Sequence, residues 1–287
     1  MPWAEFCFDA IGAPWRIDSP DPLPTAVREA IAQRIDSFDR TYSRFREDSL
    51  VSKIGRGSGR WNFPADATDL FGLYQTLYTL TGGALSPLVG ERLENLGYDR
   101  AYSLTPAANS VRVPSWDDAF AWDGEALTTI RPVLLDVGAA GKGYLVDIVA
   151  GILEGAGIDQ YIVDASGDIV HRGDEPMRIA LEHPGNPQRA IGVYELQNAA
   201  LCASASNRRA WGNGLHHIID AITGEPTSRV SATWAIAPTG LIADGLSTAL
   251  FFVGAGALTP SFDFQYVRLF TTGAAEYSRN LTGEMFT

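Results

Sequence analysis

Positive charge, cysteine and long apolar runs are all scarce in this chain. Lysine and arginine number 22 against 34 aspartates and glutamates in 287 residues, a formal net charge of −12 at pH 7. That balance leaves no basic face to neutralise a phosphate backbone and excludes a nucleic-acid binder. A small anion held by local N–H groups or by a metal remains compatible with it, and the carboxylate excess favours a bound divalent cation. Cys7 and Cys202 are too few for a disulfide framework, and no Cys-x-x-Cys or Cys/His cluster has zinc-ligand spacing. No stretch reaches the roughly 18 apolar residues of a membrane span. Met1-Pro2-Trp3-Ala4-Glu5-Phe6 has neither a basic nor an apolar leader. These absences lead to the expectation of a cytoplasmic protein with no membrane span and no nucleic-acid partner. The remaining composition, 46% hydrophobic and 20% charged, is ordinary for a globular chain long enough for one large domain or two intimate lobes.

The most informative stretch is Leu135-Asp136-Val137-Gly138-Ala139-Ala140-Gly141-Lys142-Gly143-Tyr144. An apolar run, Val133 to Leu135, ends in an acid, passes through small residues and opens into a helical pattern behind a lysine. The pattern predicts a strand, a glycine loop and a helix N-terminus whose free N–H groups suit a phosphate or nucleotide. It is neither a Walker loop nor a dinucleotide fingerprint, because Gly143 follows Lys142 and the glycine order differs. A plain strand–helix turn with glycines for close packing is the competing reading.

Around it, residues 3–17 read as a strand pair bent at Gly12-Ala13-Pro14. Helical spacing places helices from Pro24 to about Phe38, from about Asp66 to Leu80, from about Lys142 to Glu154 and from about Ala243 to Val253. Strands are expected at 160–164, 177–182, 189–197, 229–237 and 264–270. Residues 99–131 hold short strands and turns without a clear order. The fold class is α+β, a helix-rich front half packed on a β-rich back half.

Four further segments carry candidate chemistry. In Leu215-His216-His217-Ile218-Ile219-Asp220, adjacent strand side chains oppose, so one histidine at most faces a given site, and Asp220 is placed to orient it. In Ala243-Asp244-Gly245-Leu246-Ser247-Thr248-Ala249, Asp244 and Thr248 share a helix face and present oxygens to one hard cation, unless they merely cap and back-bond their own helix. Ser43-Arg44-Phe45-Arg46 is an Arg-rich turn that also suits a helix C-terminus. Val163-Asp164-Ala165-Ser166-Gly167-Asp168 is a hairpin signal.

In this order, these pieces resemble the ApbE family, the FAD:protein FMN transferases. Asp136 to Asp147 is similar to the family's Asp-Leu-Gly-Gly-Ile-Ala-Lys-Gly-Tyr-x-x-Asp. His217-Ile218-Ile219-Asp220-Ala221-Ile222-Thr223-Gly224 resembles His-Ile-Ile-Asp-Pro-x-Thr-Gly, and Ala243 to Ala249 fits Ala-Asp-x-x-x-Thr-Ala throughout. Ser43-Arg44-Phe45 is similar to Ser-Arg-Tyr, and Gly83-Ala84-Leu85-Ser86-Pro87 to Gly-Ala-Phe-Asp-Pro. The resemblance spans about residues 8 to 255. The chain departs from the family at Ile11-Gly12-Ala13, Gly55, Ser86, Ser166-Gly167, Ser204-Ala205-Ser206 and Ala221.

The resemblance implies a single ApbE-like, T-fold-related domain over residues 1–287. It implies a cleft binding FAD through Ile11, Phe45, Ala84, Leu85, Ser86, Asp136, Lys142, His217 and the Ile218 backbone. It also implies Mg²⁺ held by the Ala139 carbonyl, Asp244 and Thr248. The implied reaction moves FMN from FAD to a Thr or Ser hydroxyl of an acceptor flavoprotein and releases AMP, with His217 as base and Asp220 orienting it. Hydrolysis of FAD to FMN and AMP in the same site, or FAD binding without turnover, are the alternatives.

Overall fold

The structure, a computed structural model, describes residues 3–286. Strand β1 (Ala4–Ala10) turns into β2 (Ala13–Ser19) through Ile11 and Gly12, at φ 45° and 76°. Two successive positive φ values make the primed two-residue turn whose twist matches that of antiparallel strands. Six more strands join this hairpin: β3 (Tyr161–Asp164), β4 (Asp168–Arg172), β5 (Ala200–Ala205), β6 (Val230–Ala237), β7 (Gln265–Phe270) and β8 (Ala275–Tyr277). Their order across the sheet is their order in the chain, and every neighbouring pair is antiparallel.

Side chains alternate between the two faces of this sheet. Trp15, Ile17, Val163, Val170, Cys202 and Ala235 belong to the core that the helices share. Ile169, Leu201, Trp234, Ile236, Val267 and Leu269 form a second core, closed by Ile179, Leu181, Tyr194 and Leu196 from the hairpin Met177–His183 and Asn186–Leu196. The class is α+β, as the sequence indicates, but the layers divide by face and not by chain half. The front half supplies β1 and β2 to the sheet, and the back half supplies a helix.

Four helices cover the first face: α1 (Thr25–Tyr42), α2 (Ala67–Leu80), α3 (Gly141–Gly155) and α4 (Gly240–Ala249). Val27, Ile31 and Phe38 form the buried stripe of α1, and Leu70, Tyr74 and Leu77 that of α2. Helix α4 starts three residues before the sequence pattern places it. The Thr239 hydroxyl accepts the Ile242 N–H, and the Asp147 carboxylate, from α3, accepts the N–H groups of Gly240 and Leu241 at 2.7 Å each. The Asp147 cap, supplied from another element, leaves no local signal, whereas Thr239 is a local N-cap residue. The expected strand at Val133–Leu135 has no sheet partner. The N–H groups of Val133 and Asp136 donate instead to the carbonyls of Ile54 and Pro87.

Helices α3 and α4 meet at Gly143 and Gly240, where a Cβ on either would overlap the other's carbonyl oxygen. Asp147 on one side and the Asp244 carboxylate on the other, which accepts the Gly143 N–H at 2.9 Å, bind the crossing together. The junction aims the start of α3 at the start of α4, and the site is built there. Replacing a helical Gly by Ala ordinarily stabilises by up to about 1 kcal/mol. At Gly143 the overlap outweighs that gain, and forcing the helices apart costs about 1–3 kcal/mol. Gly143→Ala is therefore expected to lower the urea midpoint of unfolding. An unchanged or higher midpoint would show that the crossing is not tight.

Candidate functional site

A cleft of about 810 Å³ opens where the α3–α4 junction meets the β1–β2 turn and the loop between β5 and β6. That volume lies within the roughly 300–1,000 Å³ of small-molecule sites. Ile11, Phe45, Asp136, Lys142, His217 and Asp244 all line it, so residues 233 positions apart in sequence reach one space.

On one wall, Arg44 is 2% exposed and its Nε donates to Asp136 Oδ2 at 2.6 Å, while a terminal nitrogen donates to the Tyr98 carbonyl at 2.8 Å. Burial alone would raise the Asp136 carboxyl. The charge and hydrogen bond of Arg44, joined by the Gly138 N–H and the charge of Arg209, overcome burial and hold it below its ordinary value. The guanidinium also lies 4.1 Å from the centre of the Phe45 ring, on which Tyr102 stacks at 5.4 Å. Arg44 thus acts as more than the C-terminal cap of α1. It fixes both an acid and an aromatic wall.

The floor is negative. Lys142 Nζ donates to the Ala165 carbonyl at 2.7 Å and lies 3.2 Å from an oxygen of Asp168, which is 1% exposed and has no hydrogen-bond partner on either carboxylate oxygen. Burial raises the Asp168 carboxyl against the pull of Lys142. Burial, and next the Asp168 charge, raise Asp244 well above its ordinary value. The one ammonium is thus paired with Asp168, and Asp244 beside it has only the Gly143 N–H. Beside them the Thr248 hydroxyl donates to the Ala139 carbonyl at 3.2 Å. The Ala139 carbonyl, Asp244 and Thr248 form an all-oxygen set beside an under-compensated negative charge, which suits a hard divalent cation. Among the described residues no three His, Cys, Asp or Glu side chains make a closed cage, so such a cation would complete its shell with other oxygens.

The adjacent histidines divide as strand geometry requires. His216 is structural: one ring nitrogen is 2.8 Å from the Thr227 carbonyl and the other accepts the Ile218 N–H. His217 faces the cleft with its Nδ1 buried and unpartnered. Burial, then the charges of Arg209 and His216, push its pKa down to about 3, so the ring is neutral at pH 7.

Other expectations are corrected. Asp220 is not joined to His217 by a hydrogen bond. Its Oδ1 accepts the N–H groups of Ile222 and Thr223 and so forms the turn after the histidines. Ile218 packs with Val230 and Phe251, and its N–H and carbonyl are engaged by His216 and Thr227. Ala84, Leu85 and Ser86 are not among the residues that line the cleft. Leu85 is in the core, Ser86 caps Leu88, and the Ala84 carbonyl accepts the Ala221 N–H. The first turn of α3 is not a row of free donors either, since the Gly141 and Gly143 N–H groups go to the Val137 carbonyl and to Asp244. Sequence reasoning missed Asp168, Arg209, Tyr98 and Tyr102. Of these only Asp168 lay in a segment singled out, as the far side of the Ser166-Gly167 turn.

The sequence profile described as "ApbE family" matches residues 11–260. Curated relatives named FAD:protein FMN transferase include that of Haemophilus influenzae, 35% identical over 263 residues, covering 80% of this chain and 74% of the relative. That of Klebsiella pneumoniae is 26% identical over 250 residues, covering 80% and 71%. Among solved structures, the ApbE protein of Thermotoga maritima superposes with a TM-score of 0.79 at 26% identity, covering 96% of this chain and 97% of the other. The flavin transferase ApbE of Vibrio cholerae gives 0.79 at 23% identity over 96% of each, a likeness of fold. Profile, relatives and architecture agree, and the chain belongs to the ApbE family.

Proposed function

We propose that this enzyme transfers FMN from FAD to a Thr or Ser hydroxyl of an acceptor flavoprotein, releasing AMP, in a Mg²⁺-dependent reaction. The observation that carries this reading is the burial of two neighbouring acids, Asp168 and Asp244, at the floor of a nucleotide-sized cleft, where the one ammonium, Lys142, is paired with Asp168 alone. A second cation relieves that repulsion, and a pyrophosphate then finds positive charge where the free protein has negative. Ala139, Asp244 and Thr248 would hold Mg²⁺, which supplies charge neutralisation to the pyrophosphate oxygens when bound. The chemistry of the donor set supports the metal, and the names of the curated relatives support the flavin.

The residues of this chain then divide the work. Phe45 and Ile11 present apolar surface to the flexible, partly aromatic substrate. Asp136, held by Arg44, offers a fixed acceptor beside that surface. His217, whose ring lines the cleft and is neutral, serves as general base. As the acceptor oxygen forms its bond to phosphorus, its proton passes to His217. The bridging P–O bond breaks and its electron pair leaves with AMP. A free imidazole this depressed is a weak base, and the negative charge of a bound pyrophosphate raises its proton affinity toward the working range. Domain organisation follows the same reading: a single ApbE-like domain whose two lobes are the walls of the cleft.

Two expectations test the reading. Asp244→Ala is expected to abolish Mg²⁺-dependent AMP release and flavin labelling of an acceptor, followed by chromatography and in-gel fluorescence. AMP release in its wild-type amount would remove Asp244 from the metal site. AMP and free FMN appearing in wild type at the same rate with and without an acceptor would favour the hydrolase. His217→Gln is expected to lower kcat by about 10²–10⁴-fold with FAD affinity little changed.

The same substitution reports on pH. The folded-state pKa of His217, about 3, lies below its ordinary 6.5, so unfolding takes up a proton between those values. The neutral ring therefore costs stability as the pH falls from about 6.5 toward 3. Relative to His217→Gln, the wild type should lose stability over that window in urea titrations. Parallel curves would show that the ring is not held neutral.

A further inference from the structure

Five cationic side chains line the cleft: Arg44, Arg46, Lys142, Arg208 and Arg209. Four are already engaged. Arg44 is paired with Asp136, Arg46 with Asp39 and Asp48, Lys142 with Asp168, and Arg208 with Glu182 at 3.1 Å. Arg209 alone has no carboxylate within 4.0 Å and no side-chain hydrogen bond among the described residues; its guanidinium carbon lies 6.0 Å from the centre of the Tyr98 ring. An arginine fork left open in a cleft has its five donors available to an incoming anion.

Its placement is set by local pairing. After β5 the chain forms a short hairpin in which Ala210 pairs with His216 and Trp211 with Leu215. Extending that register by one residue sets Arg209 opposite His217, the histidine with the unpartnered, buried Nδ1. Trp211 anchors the hairpin, its indole N–H donating to the Leu96 carbonyl at 2.9 Å. The Arg209 side chain itself is exposed and free to move, while its backbone is held. Its charge is felt by Asp136, His217 and Asp244, all of which line the cleft.

We infer that Arg209 is a phosphate-recognising specificity residue: its guanidinium closes on the pyrophosphate of the bound dinucleotide, so the site selects phosphorylated flavins over the bare flavin. This deepens the proposed function and rests on it. The free protein spends no carboxylate on Arg209, so binding an anion there breaks no existing ion pair. The paired cations would each have to surrender a partner or share it. Lysine in its place keeps the charge but loses the two-pronged geometry.

The test is calorimetric titration of wild type, Arg209→Gln and Arg209→Lys with FAD and with riboflavin, in Mg²⁺ buffer, together with FAD titrations at increasing KCl. Removing a charged contact to phosphate is expected to weaken FAD binding by about 10- to 100-fold in Arg209→Gln. Riboflavin affinity should be unchanged, Arg209→Lys should recover part of the loss, and the salt dependence of FAD affinity should be shallower in Arg209→Gln. Undiminished FAD affinity, an equal loss for FAD and riboflavin, or an unaltered salt dependence overturns the inference while leaving the FAD reading intact. Failure of the wild type to bind FAD overturns both. Because Arg209 is exposed, both variants should melt as wild type does, and Arg209→Lys serves alone should the Gln form not fold.

Discussion

Everything at the site hangs on the contact of two glycines. Helices that cross with side chains between them stay about 8–10 Å apart. Gly143 and Gly240 remove that spacer, so the backbone of one helix touches the backbone of the other. Only then can the Asp147 carboxylate cap α4 from α3, and only then does the Gly143 N–H reach Asp244. Burial pushes the Asp147 carboxyl up to about 6 even though it accepts two main-chain N–H groups there, a measure of how dry the junction is. The loop before α3 and the last turn of α4 are brought together by the same crossing, and there the Thr248 hydroxyl donates to the Ala139 carbonyl.

Much of this arrangement was legible in the chain, and what was not has identifiable causes. Helices with regular apolar stripes, such as Val27, Ile31 and Phe38, announce themselves because their stabilisation lies in that stripe. Strand β5 does not. Its Ala-Leu-Cys-Ala-Ser-Ala lacks β-branched and aromatic residues and is a strand because β4 and β6 flank it. Val133 to Leu135 shows the reverse error, a strand-like run whose Val133 N–H goes to the last carbonyl of the short helix Leu50–Ile54 and not to a strand.

The site follows the same division. Asp136, Lys142, His217 and Asp244 could be named because they sit in contiguous motifs. Asp220 sits in one too, yet its carboxylate shapes a turn, since proximity in sequence across a sharp bend is not proximity of side chains. Arg44 had two readings, and the buried ion pair with an acid 92 positions away decides between them. Arg209 offered no signal at all, for its distinction is the absence of a partner.

The protein as a whole repels anions, at −12, and its cleft interleaves arginines and a lysine with at least as many carboxylates, so an anion there depends on single cations such as Arg209 and on a bound metal. Fields at such short range are set by the nearest charges and the local dielectric, not by the net balance. Recognition of an anionic nucleotide and an acidic isoelectric point are therefore compatible in one molecule.

The sheet whose strand order copies the chain order has one discontinuity, between β2 and β3. Ile17 lies beside Val163, so one ladder closes a loop holding α1, α2 and α3. The neighbours β3–β4, β6–β7 and β7–β8 join through much shorter connections. Such a chain has two kinds of assembly step on very different timescales, because ends far apart in sequence meet slowly. During synthesis the first hairpin leaves the ribosome with its inner edge unpaired and waits for over a hundred residues before its partner strand exists. The exposed charged residues Glu5 and Asp9 lie on β1, the outer strand of that hairpin, and discourage pairing at the edge that stays open in the finished sheet.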